Sequence, residues 1–293
     1  MATKWTPKPF AISVTDETLD DLKQRLRMTR LPDEIPSSGW QFGTSLAYVR
    51  ELVAYWRDGF DWRAQEAQLN RFPQHRIETD ELALHYLHVP GVGPAPLPLL
   101  LVHGWPGSVV EFRKVIGPLT DPAAHGGDPR DAFTVVAPSL PGYGFSHVQG
   151  RRRLGIEEIA DLFATLMTEV LGYPRFAAQG GDWGSFVVGR LGLAHPERLA
   201  GVHLNMVPVA PHPSERTDLS EAEVAFLKET EAFFAEESGY QAIQGTKPQT
   251  LASPDSSPTM SPARSRSAGR PPSTAWPAAP TPATWPTPTW PPW

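Results

Sequence analysis

The sequence contains no cysteine among its 293 residues, which excludes disulfides, thiolate metal sites and a cysteine nucleophile. It also lacks a dense basic cluster, and its formal net charge is −6, so it shows no electrostatic footprint for nucleic acid. The longest strongly apolar run, Leu97–Val102, is far too short to cross a bilayer. The N-terminus has no apolar segment of the kind found in secretory signals. These absences predict a cytoplasmic protein that binds neither nucleic acid nor membrane.

The first 75 residues are predicted to form a helical arm. Apolar residues at helical spacing follow the capping candidates Ser13 and Thr15, and a second amphipathic stripe begins near Ser45. A third short helix is predicted near Trp62. Because the apolar stripes are narrow and the segment is short, we expect the arm to require a larger body to pack on.

From residue 76 to 211 the pattern changes to strands that alternate with helices, which predicts an α/β fold with a mostly parallel sheet. Strands are predicted over residues 77–79, 83–89, 97–102, 133–137, 176–179 and 199–205, and helices over 109–119 and 156–171. In such a sheet, ligands bind beyond the carboxyl ends of the strands.

The sequence Gly-Gly-Asp-Trp-Gly around Asp182 lies at one of those strand ends. Its spacing matches a nucleophile elbow, in which small flanking residues allow a strained backbone to expose one side chain. Taken alone, the same residues are equally compatible with an ordinary surface turn.

Two further loops at strand ends favour the elbow. His103-Gly-Trp-Pro-Gly107 follows one strand, and Pro138-Ser-Leu-Pro-Gly-Tyr-Gly-Phe-Ser146 follows the next. In the elbow architecture, backbone N–H groups of such a loop and of the residue after the nucleophile form an oxyanion hole, which predicts Trp105 and Trp183 as donors. For His103 we favour a histidine that hydrogen-bonds its own loop over a general base, and we interpret Tyr143 as packing beside the site.

These motifs, in this order and spacing, resemble the α/β-hydrolase fold. The arm, with Phe10-Ala-Ile-Ser-Val-Thr-Asp and Thr29-Arg-Leu-Pro-Asp-Glu, resembles the N-terminal region of epoxide hydrolases of the microsomal and juvenile-hormone type. Residues 212–252 resemble the start of their helical cap, and Tyr240 lies in the cap-like sequence Gly239-Tyr-Gln-Ala-Ile-Gln-Gly.

The resemblance implies a cofactor-free enzyme that acts on a small-molecule epoxide. Asp182 would attack an epoxide carbon to form an ester, and Tyr240 would hydrogen-bond the epoxide oxygen. A packing role for Tyr240 remains an equal alternative. Haloalkane dehalogenases share the Asp-Trp elbow, but they commonly carry asparagine where this chain has Trp105. A non-catalytic binding module is the alternative from another class.

The family requires an acid and a late histidine to hydrolyse the ester, and the chain departs from that pattern. After Asp182 its histidines are His195, His203 and His212, none of which follows the cap segment. Residues 253–293 contain twelve prolines and four tryptophans but no Leu, Ile, Val or Phe, which predicts a disordered tail. We favour a shifted reading frame as its origin over a polyproline-II segment that binds a partner. The sequence therefore predicts an epoxide hydrolase by ancestry whose turnover is impaired.

Overall fold

The computed structural model describes residues 5–79, 83–147, 152–207 and 218–248. The described chain divides into two compact units, of which Phe10–Pro73 is one and the residues before and after it are the other. The predicted disordered tail and His212 lie outside the described residues. Within those residues, no helix combines the length and apolar character needed to cross a membrane.

The unit Phe10–Pro73 contains three helices, as the sequence predicts. They are α1 (Asp16–Arg27), α2 (Leu46–Asp58) and α3 (Trp62–Leu69). Thr15 caps α1 by accepting the backbone N–H of Thr18, which satisfies one of the donors left open at a helix start. The side chain of Asn70 exchanges two hydrogen bonds of 2.8 Å with the backbone of Ile12. These bonds tie the beginning of the unit to its end.

The other unit contains a seven-stranded mixed sheet in the order β1-β2-β3-β5-β4-β6-β7. The strands are β1 (Lys8–Phe10), β2 (Gln74–Glu78), β3 (Ala83–Val89), β4 (Leu97–Val102), β5 (Phe133–Pro138), β6 (Phe176–Gly180) and β7 (Leu199–Leu204). Strand β3 pairs antiparallel with β2 and β5, whereas β5, β4, β6 and β7 run parallel to one another. The predicted mostly parallel sheet with crossover helices is confirmed.

The helices of this unit are α4 (Ile116–Thr120), α5 (Ile156–Thr165), α6 (Trp183–Ala194), α7 (Glu221–Glu237) and α8 (Gly239–Thr246). Helix α5 continues as a π-helical turn over Leu166–Val170. The core between these helices and the sheet contains fully buried Phe163, Leu166, Met167, Phe176 and Leu191. Burial of such large apolar side chains is the main stabilising contribution to this unit.

One predicted helix, over residues 109–119, is divided in two. A 3-10 turn spans Val109–Phe112, and α4 starts again at Ile116. Pro118 explains the break, because its nitrogen carries no hydrogen to donate to the carbonyl of Lys114 and its ring disfavours a continuous helix at that turn.

The strand register brings the special loops to one edge of the sheet. Val102, the last residue of β4, lies opposite Gly180, the last residue of β6, and Gly180 lies opposite Leu204 at the end of β7. The loop that begins at His103 and the elbow at Asp182 therefore leave the sheet side by side.

Candidate active site

Asp182 has the strained backbone that an elbow requires. It joins β6 to α6 with φ 51° and ψ −123°, a combination that non-glycine residues rarely adopt and that costs on the order of 1–3 kcal/mol. Gly180 and Gly184 make this turn possible, because a Cβ on Gly180 would collide with the carbonyl of Gly184 and one on Gly184 with the carbonyl of Val102. Glycine is therefore required at both positions, because the backbone segments approach too closely to leave room for a side chain.

Ser185 and Asn205 support the turn from either side. The buried hydroxyl of Ser185 donates to the carbonyl oxygen of Gly180 at 2.9 Å. The backbone N–H of Asn205 donates to the same carbonyl at 3.2 Å, and the Asn205 side chain accepts from Gln179 at 3.1 Å. Sequence reasoning missed both residues, because their partners become visible only once β6 and β7 are paired.

The loop after β4 places a hydrogen-bond donor against Asp182. The backbone N–H of Trp105 donates to Asp182 Oδ1 at 2.7 Å. Gly104 makes room for this approach, because a Cβ there would lie 2.5 Å from Asp182 Cβ and 2.7 Å from Oδ1. One carboxylate oxygen is thus held by the loop, which leaves Oδ2 as the oxygen that can attack a ligand.

Trp183 is the first residue of α6 and follows Asp182 directly. Its ring packs against the core beside Phe186, with ring centroids 6.2 Å apart. Its role as the second oxyanion donor stays a prediction from the sequence.

His103 is buried and neutral. Its Nδ1 lies 3.0 Å from the carbonyl oxygen of Gly104, and the backbone N–H of Leu140 donates to its Nε2 at 3.0 Å. Since a carbonyl only accepts and an N–H only donates, the proton must be on Nδ1. Burial lowers the pKa of His103 to about 4. Both ring nitrogens are engaged with backbone groups, which is the loop role favoured from the sequence and leaves no nitrogen to act as a base.

Tyr143 packs edge-on against the His103 ring, with centroids 5.5 Å apart. Burial, and then the negative charge of Asp182, raise the pKa of its hydroxyl. Tyr143 therefore lies close enough to Asp182 to sense its charge, in agreement with its interpretation as a residue beside the site.

Tyr240 reaches the site through Trp105. The two rings stack with centroids 5.5 Å apart and an interplanar angle of 14°, and Gln241 donates to the Tyr240 hydroxyl at 3.0 Å. Tyr240 as a whole is 46% exposed. The structure thus brings Asp182, Trp105 and Tyr240 into one continuous set of contacts.

The remaining described histidines after Asp182 lie elsewhere. His195 stands at the opposite end of α6, about 20 Å along the helix axis from Asp182, and its Nε2 contacts Asp161 at 2.7 Å. His203 lies within β7. Within the ranges that the structure describes, no cluster of three or more His, Asp or Glu residues could hold a metal ion.

A surface depression of about 340 Å³ lies at the other end of β4 and β5, where Leu97, Arg130 and Phe133 line it. Leu97 and Phe133 are the first residues of their strands, so this depression lies at the sheet edge opposite Asp182. Asp182, Trp105, Trp183 and Tyr240 do not line it, so the elbow remains the candidate site.

Comparison with known families gives two matches. The family described as "Epoxide hydrolase N terminus" matches residues 7–112, and the family described as "alpha/beta hydrolase fold" matches residues 98–293.

Individual relatives agree with these families. A protein of Stigmatella aurantiaca (strain DW4/3-1) is 47% identical over 243 residues, which cover 83% of this chain and 55% of that protein. Epoxide hydrolase 1 of Oryctolagus cuniculus is 36% identical over 83% of this chain and 58% of its own length. The chain therefore spans little more than half the length of these relatives.

Among solved structures, the epoxide hydrolase of Aspergillus niger superposes with a TM-score of 0.73 at 33% identity, covering 85% of this chain and 66% of that one. The juvenile hormone epoxide hydrolase of the silkworm Bombyx mori superposes with a TM-score of 0.70 at 29% identity, over 88% and 62% of the two chains. With the elbow, the loop after β4 and both family matches in agreement, the chain belongs to the α/β-hydrolase superfamily, within its epoxide hydrolase family.

Proposed function

We propose that this chain opens a small-molecule epoxide through a covalent ester on Asp182. The observation that carries the proposal is the 2.7 Å hydrogen bond from the Trp105 backbone N–H to Asp182 Oδ1, formed at an elbow with positive φ. A surface turn has no need of such strain or of a donor aimed at its carboxylate, so these two features together favour a nucleophile.

In the proposed step, Asp182 Oδ2 attacks one carbon of the epoxide. A carbon–oxygen bond of the ester forms as a carbon–oxygen bond of the strained ring breaks, and the electron pair of the broken bond goes to the epoxide oxygen. Tyr240, whose ring is held beside the loop by Trp105, donates its hydroxyl proton to that oxygen, and the solvent returns a proton to the tyrosine. The product of this step is a hydroxyalkyl ester, and no cofactor is required.

Release of the ester requires water to attack its carbonyl carbon. The backbone N–H groups of Trp105 and Trp183 would then stabilise the tetrahedral oxyanion. A histidine must remove the proton from that water, yet His103 has both nitrogens engaged with backbone groups and the sequence has no histidine after His212. We therefore propose that the ester accumulates on this chain and that turnover to the diol is impaired.

Mass spectrometry after incubation with styrene oxide tests the proposal. We expect one adduct per chain, mapped to the peptide that contains Asp182. In an Asp182→Asn variant, the corresponding peptide should carry no adduct. Absence of the adduct in the unmodified chain, or its presence on another residue, would contradict the ester mechanism. Sustained diol formation would contradict the impairment while leaving the ester mechanism in place.

Two further arms separate the alternatives. Halide release from a chloroalkane, faster than reaction with styrene oxide, would favour a dehalogenase. Binding of a small molecule that is equally tight in Asp182→Asn, with no adduct in either protein, would favour a binding module.

A cytoplasmic location and the absence of nucleic-acid or membrane partners stay predictions from the charge and hydropathy of the chain.

A further inference from the structure

Glu111 lies in the 3-10 turn Val109–Phe112 that follows the loop after β4. The backbone N–H groups of Gly104 and Ser108 face its carboxylate closely enough to lower its pKa. A Cβ on Gly107 would collide with Glu111 Oε1, which shows that the carboxylate lies directly against the loop backbone. Although the residue as a whole is exposed, its charged end therefore turns back toward the loop.

The peptide group that joins Gly104 to Trp105 is held at both ends. Its carbonyl oxygen accepts from His103 Nδ1 at 3.0 Å, and its N–H donates to Asp182 at 2.7 Å. The preceding N–H, of Gly104, faces the Glu111 carboxylate. Hydrogen bonds at neighbouring groups polarise and orient one another, so the direction of the Trp105 N–H depends on what holds Gly104.

We propose that Glu111 is a positioning residue for the candidate active site: its carboxylate, packed against the loop backbone at Gly107, fixes the loop so that the Trp105 N–H points at Asp182 Oδ1. The chemical consequence rests on the proposed function, because a correctly directed Oδ1 leaves Oδ2 free to attack. The positioning of the Trp105 N–H by Glu111 does not depend on whether the chain reacts with epoxides.

The charges around Glu111 make a purely incidental placement a poor explanation. Burial and the nearby negative charge of Asp182 both raise the pKa of the Glu111 carboxyl, whereas the two backbone N–H groups lower it. A second carboxylate near Asp182 is therefore unfavourable in itself, and its interactions with these two N–H groups offset the cost. Both N–H groups belong to the loop that presents the Trp105 N–H.

The backbone amide of Trp105 gives a direct test. Selective ¹⁵N labelling of the ten tryptophans gives a small set of amide signals, and the Trp105 signal is the one lost in Trp105→Phe. We expect this proton to resonate downfield, to move in Asp182→Asn, and to move upfield in Glu111→Ala with hydrogen exchange faster by on the order of tenfold. Glu111→Gln retains an acceptor oxygen and should leave the signal close to that of the unmodified chain.

Two controls accompany the test. Glu169→Ala removes an exposed glutamate from another helical turn and should leave the Trp105 signal unchanged. Glu111→Leu removes the acceptor oxygens while keeping a side chain of similar length, so it should reproduce the Glu111→Ala change. If Glu111→Ala does not fold, Glu111→Leu provides the same comparison.

Wild-type Trp105 shift and exchange in Glu111→Ala, or in Glu111→Leu if Glu111→Ala does not fold, would overturn the proposal even if the variant were less stable. In the kinetic arm, ester formation with styrene oxide should be about tenfold slower in Glu111→Ala and within about threefold in Glu111→Gln, because misplacement of a reacting group lowers the rate. If the unmodified chain forms no ester, the proposed function fails, whereas the amide signal still decides the role of Glu111.

Discussion

Lowering the pH should destabilise this protein through histidines that fold in their neutral form. Burial lowers the pKa of His103 to about 4 and that of His85 to about 4, from an ordinary value of 6.5. His85 is fixed between Ser139 and Gln74 at 2.9 Å each, as His103 is between Gly104 and Leu140. His103 cannot gain a proton without losing the hydrogen bond that its Nε2 accepts from the Leu140 N–H.

The sign and size of the effect follow from the difference in bound protons. Between the two pKa values the unfolded chain binds more protons, so the stability these histidines contribute is fully present above pH 6.5 and is lost as the pH falls toward about 4. From about pH 7 to about pH 5, the linkage relation gives a loss of about 2 kcal/mol for each histidine. This is a large part of the stability of an ordinary domain.

Urea unfolding at a series of pH values, followed by tryptophan fluorescence, measures the effect. In His103→Gln, whose side chain can still accept at the position of Nε2, the decrease in unfolding free energy between about pH 7 and about pH 5 should be smaller by about 2 kcal/mol. Leu166→Ala is the matched control, because removal of a buried leucine lowers stability at every pH and should not change the pH dependence.

An unchanged pH dependence in His103→Gln would refute this reasoning, since it would mean that the histidine titrates alike in the folded and unfolded chain. A change of the same size in Leu166→Ala would refute it equally. In that case the pH dependence would follow overall stability instead of the protonation of one buried ring.

Three further outcomes follow from the geometry. Gly104→Ala should slow ester formation on Asp182 by about 100-fold, because the new Cβ displaces the carboxylate; Gly201→Ala, where a Cβ meets nothing within 4 Å, is the control, and equal rates in the two variants would contradict the expectation. Ser185→Ala should lower the free energy of unfolding by about 1–2 kcal/mol, because it removes a buried hydrogen bond to Gly180, and an unchanged urea midpoint would count against this. Strand β7 is the last strand on its side of the described sheet, so Val202→Lys should reduce self-association in size-exclusion chromatography, whereas an unchanged elution profile would show that this edge does not drive association.

The strand positions were predictable because buried parallel strands consist of short, nearly continuous apolar runs. Leu97–Val102 and Leu199–Leu204 match the predicted segments to within one residue. The predicted helix bounds were less accurate where the sequence lacks a backbone N–H that a continuous helix needs. At residues 109–119 the apolar spacing predicted one helix, and the missing N–H of Pro118 produced two short ones.

The candidate site was predictable as a set of loops but not as a set of contacts. The glycine spacing around Asp182 indicated an elbow as readily as a surface turn, and only the donor from Trp105, 77 residues away in sequence, distinguishes them. Glu111 gave no signal of its own, because an exposed glutamate beside an apolar turn is ordinary in sequence. The sequence nevertheless contained a clue in Gly107, whose missing Cβ is what the Glu111 carboxylate requires.

The sequence by itself determined the order of strands and helices, the glycine-flanked aspartate and the lack of a histidine after His212, because these depend on residue type and on spacing along the chain. The tertiary structure alone decided the strained backbone of Asp182, the neutral tautomer of His103 and the carboxylate of Glu111 against the loop. These depend on which groups meet once β4, β6 and β7 end at one edge of the sheet. The contacts between these strand ends join residues that are far apart in the sequence, so no local sequence pattern predicts them.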